Sequence, residues 1–142
     1  DSLTSEHPKA ADFFPQSQES LIRLALQYQA ESNIPASVTL AIAAFKTDYG
    51  KYVFGNNYFE LRADGKMRSF AQPKDAFRAY TLFMSSHPEY VQLFTAGSNA
   101  DKWIDKIAAL ECDQLDNMGF ESECASFMTE AINTFELDLL DY

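Results

Sequence analysis

The stretch that decides the fold is NIPASVTLAIAAFKTDYGKYVFGNNYFELR, residues 33–62. Its first half has Val38, Leu40, Ala41, Ile42, Ala44 and Phe45 with almost no polar face between them, the pattern of a helix surrounded by other elements. Pro35 suits a first helical position because its missing N–H would have no partner there. The pattern predicts a buried central helix ending near Tyr49-Gly50. Its second half is crowded with aromatics, Asn and Gly, a composition typical of loops that carry function.

Outward from this stretch, the other segments read mainly as helices. Leu21, Leu24, Ala25 and Tyr28 recur at i, i+3, i+4 and i+7, giving one apolar face from Ser17 onward. Asp64-Gly65 between short alternating segments signals a hairpin. Pro73 opens a helix with an inward stripe of Ala76, Phe77, Tyr80, Phe83 and Met84. A short helix is expected after His87-Pro88, and Asn99 is a plausible N-cap for one carrying Trp103, Ile104, Ile107 and Ala108. A last helix follows Gly119, with Phe127, Ala131, Ile132 and Phe135 facing inward. The expectation is a mainly α single domain over 17–142 with one short β-hairpin, preceded by a polar tail over 1–16.

Composition narrows the function. The chain has 142 residues, 46% of them hydrophobic and 14% aromatic, enough for one domain with a sizeable core. A net charge of -10, with no base after Lys106, opposes binding to nucleic acid phosphates. No apolar stretch approaches the length of a membrane span. His7 and His87 are isolated and each precedes Pro, so no metal site is expected, and no motif calls for a cofactor.

Cys112 and Cys124 lie twelve residues apart, about 18 Å along an unbroken helix. A bridge needs Cα atoms within about 7 Å, so it requires the turn that Asn117-Met118-Gly119 can supply. A disulfide there would contribute about 3 kcal/mol and imply an oxidising compartment. Two buried thiols is the other reading.

Three stretches, NIPASVTLAIAAFKTDYGK (33–51), GNNYFELR (55–62) and MRSFAQPKDAFRAYTLFMSSHPEY (67–90), together resemble the bacterial glucosaminidase family, lysozyme-like peptidoglycan hydrolases that include flagellar and autolysin-type enzymes. Its specific parts are the aromatic-Gly-Lys triplet Tyr49-Gly50-Lys51, the segment Asn56 to Phe59, and Arg68 to Phe77 with its Pro-led helix. The resemblance implies a lysozyme-like fold and action on the glycan bond after N-acetylglucosamine. That chemistry needs a proton donor to the leaving oxygen and a second group serving the oxocarbenium-like centre.

The departures from the family are as informative as the match. The family places its acid in a motif like Ala-Leu-Glu-Ser-Gly-Trp-Gly-Lys, and here the Glu position is Lys46. A lysine ordinarily titrates near 10.4 and keeps its proton at neutral pH. The Thr-x-Glu element of the family's hairpin lobe is missing, Asp64 reads as a turn residue, and Phe120 stands where the family has a Tyr. Glu60 replaces a Gly of the family pattern, which makes it the fallback acid and a candidate ion-pair partner for Lys46. Asp48, about 200° around the helix from Lys46, points elsewhere.

The resemblance, taken with these departures, implies a catalytically inactive glucosaminidase-like domain, periplasmic or secreted and monomeric. It would bind a peptidoglycan glycan strand or an envelope protein through the former cleft, with Tyr49, Asn57 and Tyr58 as the glycan-contacting wall and Phe54 and Phe59 in the core. The alternatives are a hydrolase using Glu60, and a protein-interaction scaffold. The acidic C-terminal FELDLLDY reads either as a partner-binding surface or as a solvated, frayed end.

Overall fold

The computed structural model describes residues 18–95, 99–112 and 120–141. The polar stretch 1–16 lies outside them. Helix α1 (Gln18–Ser32) leads into the central helix α2 (Ala36–Thr47), followed by the strands β1 (Arg62–Ala63) and β2 (Lys66–Met67). Then come α3 (Pro73–Ser86), a 3-10 turn (Pro88–Tyr90), α4 (Val91–Thr95) and α5 (Ala100–Ile107), which passes into a π-helical turn (Ala108–Cys112). Helix α6 (Phe120–Thr134) and a 3-10 turn (Leu137–Leu140) complete the order. The architecture is mainly helical, with one two-stranded antiparallel hairpin, consistent with a lysozyme-like domain. Among the described residues no helix is long and apolar enough to cross a membrane.

Helix α2 is the hub because its sequence leaves no side for water. All residues from Ala36 to Ala44 are buried, and α1, α5, α6 and the final 3-10 turn pack around it. Fully burying Leu40 or Ile42 stabilises the fold by roughly 1.5–3 kcal/mol each. Small residues at Ala41, Ala43 and Ala44 let the neighbouring elements approach closely. Helix α1 contributes Leu21, Ile22 and Ala25 to this core, and α3 contributes Ala76, Phe77, Tyr80 and Met84. Phe83, expected inward, is exposed.

A helix that starts at Pro35 cannot cap itself, since the cap residue has no side-chain acceptor. The first N–H groups are satisfied from elsewhere in the chain. The Ala36 N–H donates to Gln29 Oε1 at 2.7 Å, and Ser37 donates to Asp141 through both its N–H, 2.8 Å, and its hydroxyl, 2.6 Å. Gln29 also donates to the Leu140 carbonyl at 3.1 Å. The C-terminal segment is therefore a structural lock. Leu137 and Leu140 are buried, so the expectation of a frayed end is corrected for residues 135–141, while Glu136, Asp138 and Leu139 stay exposed.

The hairpin forms as its Asp-Gly pair predicts. Arg62 pairs with Met67 and Ala63 with Lys66, and Asp64 and Gly65 both take positive φ, 55° and 75°. Two left-handed central residues match the twist of a two-residue hairpin, which is why Asp-Gly closes it. Asn99 caps α5 as expected, accepting from the Lys102 N–H at 3.2 Å. Cys124 is buried and disulfide-bonded, while the side chain of Cys112 lies outside the described residues.

Candidate functional site

The site begins where α2 stops. The helix ends at Thr47, short of the expected Tyr49-Gly50, and its hydroxyl helps unwind it by donating to the Ala43 carbonyl and accepting from the Gly50 N–H. Asp48, Tyr49 and Gly50 then take three successive positive φ values, 50°, 59° and 86°. Asp and Gly tolerate this conformation, whereas it is costly for Tyr. Asn56, Glu60 and Asp64 are also left-handed. Backbone strain of this kind gathers at ligand clamps and active sites, and Tyr49 and Glu60 are the two least suited to it.

The helix end and the loop bring Lys46 and Glu60 together. Lys46 Nζ lies 3.8 Å from Glu60 Oε1, with the lysine side chain 17% exposed and the glutamate 44%. The expected ion pair is thus present, and a cation in the last turn of α2 also suits the negative end of its dipole. Glu60 has φ +52°, so the family's Gly at this position has a backbone reason that Glu meets only at a cost. Asp48 pairs with Lys51 at 3.8 Å instead.

The proposed glycan wall divides into residues of different kinds. Tyr49 is half-buried against α6, with its ring 5.4 Å from Phe127 and 5.9 Å from Phe135. Burial raises its hydroxyl pKa, with Glu130 and Asp48 adding to the effect. Tyr58 is half-buried beside Phe77, and burial raises its hydroxyl pKa too. Both residues are partly exposed. Asn57 is only 2% exposed and its amide works inward. It donates to the carbonyls of Leu61 and Arg68 at 2.9 and 3.0 Å and accepts from the Phe59 and Leu61 N–H groups. It holds the loop's shape and has no surface to offer a ligand.

Phe59 is in the core, stacked on Tyr80 at 4.2 Å. Phe54 is the reverse of its expectation. It is 62% exposed, and Tyr52 is 75% exposed, while Val53 between them is half-buried. The Tyr-Val-Phe alternation is a faint trace of this in the sequence, too short to fix which side faces inward. The side chain of Phe120 lies outside the described residues. His87 spends Nδ1 on the Glu89 N–H at 3.2 Å. Among the described residues no group of three or more His, Cys, Asp or Glu could hold a metal ion.

Two cavities lie apart from Lys46, Glu60, Tyr49 and Tyr58. One of about 760 Å³ opens between α1, α3 and α4, lined by Tyr28, Arg78, Leu82, Val91 and Phe94 among others. A second of about 490 Å³ lies across Leu82, beside Phe83 and His87.

Residues 22–128, spanning α1 into α6, match the glucosaminidase family model, described as mannosyl-glycoprotein endo-beta-N-acetylglucosaminidase. No curated protein matches the chain.

Proposed function

Because the chain belongs to the glucosaminidase family, we propose that it serves the cell wall as a glycan-binding domain over 17–142 that has lost hydrolysis. The observation that carries this reading is the Lys46–Glu60 ion pair at the place where the resembling enzymes keep their acid. Glycoside hydrolysis needs a carboxylic acid that gives a proton to the leaving oxygen and a second carboxylate for the opposite face or the nucleophile role. Lys46 supplies neither. Glu60 is engaged with the Lys46 ammonium at 3.8 Å. Asp64, the acid of the hairpin, is spent on an exposed left-handed turn.

Binding asks for less than catalysis. The partly exposed Tyr49 and Tyr58 offer aromatic surface, and the half-exposed Glu60 carboxylate can accept from sugar hydroxyls or acetamido N–H groups. The domain's place is periplasmic or secreted, where such glycan lies, and it acts as a monomer.

Purified protein incubated with insoluble peptidoglycan tests both halves. Retention in the pellet with no release of soluble muropeptides is the expected result. Release that disappears in Glu60→Gln would make this a hydrolase with a displaced acid. A protein that stays in the supernatant would be a scaffold for another protein.

A further inference from the structure

We propose that Tyr52 and Phe54 form a sugar-stacking platform beyond the Lys46–Glu60 pair, extending the glycan site along the loop. This rests on the glycan-binding reading above and adds the residues that grip the sugar ring.

Exposure comes first. Tyr52 and Phe54 rank among the exposed large hydrophobic side chains, at 75% and 62%, whereas Phe59, from the same loop, is buried. Among the described residues the others are Leu82 and Phe83 on α3, Val91 on α4 and Leu139 in the final 3-10 turn, all outside this loop. Exposed apolar side chains are ordinary when scattered, but here two aromatics one residue apart stand exposed on one short loop, with a half-buried Val between them.

The backbone beneath them is fixed. The Tyr52 N–H donates to the Thr47 carbonyl at 3.0 Å, tying the platform to the end of α2, one residue after Lys46. The Asn57 N–H donates to the Phe54 carbonyl at 2.9 Å, and the Phe70 N–H donates to the Gly55 carbonyl at 2.7 Å. Asn56 Nδ2 donates to the Phe70 carbonyl at 3.0 Å. A side chain held out from pinned backbone loses little freedom when a ligand covers it, which favours binding.

The neighbours select the kind of ligand. Asp48 and Lys51, both well exposed and 3.8 Å apart, precede the two rings directly. A pyranose has a C–H face that packs on an aromatic ring and a rim of hydroxyls that needs charged or polar partners, and this segment offers both. A protein partner would be better served by further apolar side chains around the rings.

The test titrates a soluble β-1,4-linked N-acetylglucosamine tetramer by calorimetry and follows retention on insoluble peptidoglycan. Tyr52→Ala/Phe54→Ala is expected to weaken tetramer binding about tenfold, the combined worth of two aromatic contacts. Tyr52→Phe/Phe54→Tyr, which keeps both rings, is expected to bind within about twofold of the parent. If the parent binds and the double alanine variant binds equally well, the platform is overturned and the glycan-binding reading stands. If the parent binds neither glycan, that reading falls and takes the platform with it. If the ring-keeping variant loses as much binding as the alanine variant, stacking is overturned.

Discussion

Asp141, next to the end of the chain, accepts two hydrogen bonds from Ser37 at the start of the central helix, at 2.8 Å from the N–H and 2.6 Å from the hydroxyl. It does for α2 what Pro35 cannot. An acidic cap also suits the positive end of the helix dipole. Asp141→Ala is expected to lower stability by about 1–2 kcal/mol, the usual worth of an N-cap, with a lower urea midpoint and an unchanged m-value as the measurement.

The same carboxyl sets a pH dependence of unusual sign. Burial pushes the Asp141 pKa above the ordinary 3.8, Asp138 adds to the rise, and the Ser37 hydrogen bonds pull it partly back. Between 3.8 and that raised value the folded protein holds more protons than the unfolded chain, so this group's contribution falls as pH rises through the window. Asp141→Asn removes the titration. The stability of the native protein minus that of Asp141→Asn is therefore expected to decline as pH rises from 3.8 through the raised value. A difference that grows with pH would show that the Ser37 bonds outweigh burial.

The sequence makes some of these arrangements legible and hides others for a physical reason. Local chemistry can be read directly: Asp64-Gly65 closes the hairpin, Asn99 caps α5, and the nearly polar-free run from Val38 to Phe45 is the buried hub. The family's Gly at the Glu60 position points to the Lys46 contact. Asp141 and Gln29 cannot be read as caps, because each acts on a helix to which no short-range pattern connects it, Asp141 across 104 residues. Phe54 reads as core and is not, because one alternation of Tyr, Val and Phe is too short to fix which face is inward. Asn57 reads as a ligand-binding amide because sequence does not reveal that four backbone groups already use it.

Glu60 supports a prediction with a definite order. Its left-handed backbone costs about 1–2 kcal/mol, while a half-exposed ion pair contributes about 0–1. Glu60→Gly relieves the backbone and loses the pair, and is expected to raise stability by up to about 1 kcal/mol. Glu60→Gln keeps the strain and loses the charge, and is expected to fall below the native protein. Thermal unfolding that ranks Gln above Gly would mean that backbone strain at this position matters less than the side chain it carries.

Two glycines separate conformation from contact. Gly55 and Gly65 both have positive φ, 53° and 75°. A Cβ at Gly65 meets open space, so Gly65→Ala is expected to cost only the left-handed backbone strain, about 1 kcal/mol. A Cβ at Gly55 would collide with the Ser69 side chain, reaching its Cβ at 2.9 Å and its backbone Cα at 3.0 Å. Gly55→Ala therefore adds a steric cost and is expected to lose about 2–4 kcal/mol in denaturant titration. Equal losses at the two sites would show that the turn at 54–57 can move away from Ser69.

Gln29 and Asp141 act on neighbouring N–H groups, and Gln29 also holds the carbonyl of Leu140, next to Asp141. Gln29→Ala leaves the buried Ala36 N–H without its acceptor and frees the segment that positions the second cap. Its expected cost is about 1–3 kcal/mol. Once that segment is loosened, Asp141 has less to lose, so the double alanine variant is expected to cost less than the two single losses together, by about 0.5–1.5 kcal/mol. A denaturant double-mutant cycle measures this directly. Strict additivity would mean that the two caps hold α2 independently and that the C-terminal turn stays docked through Leu137 and Leu140 alone.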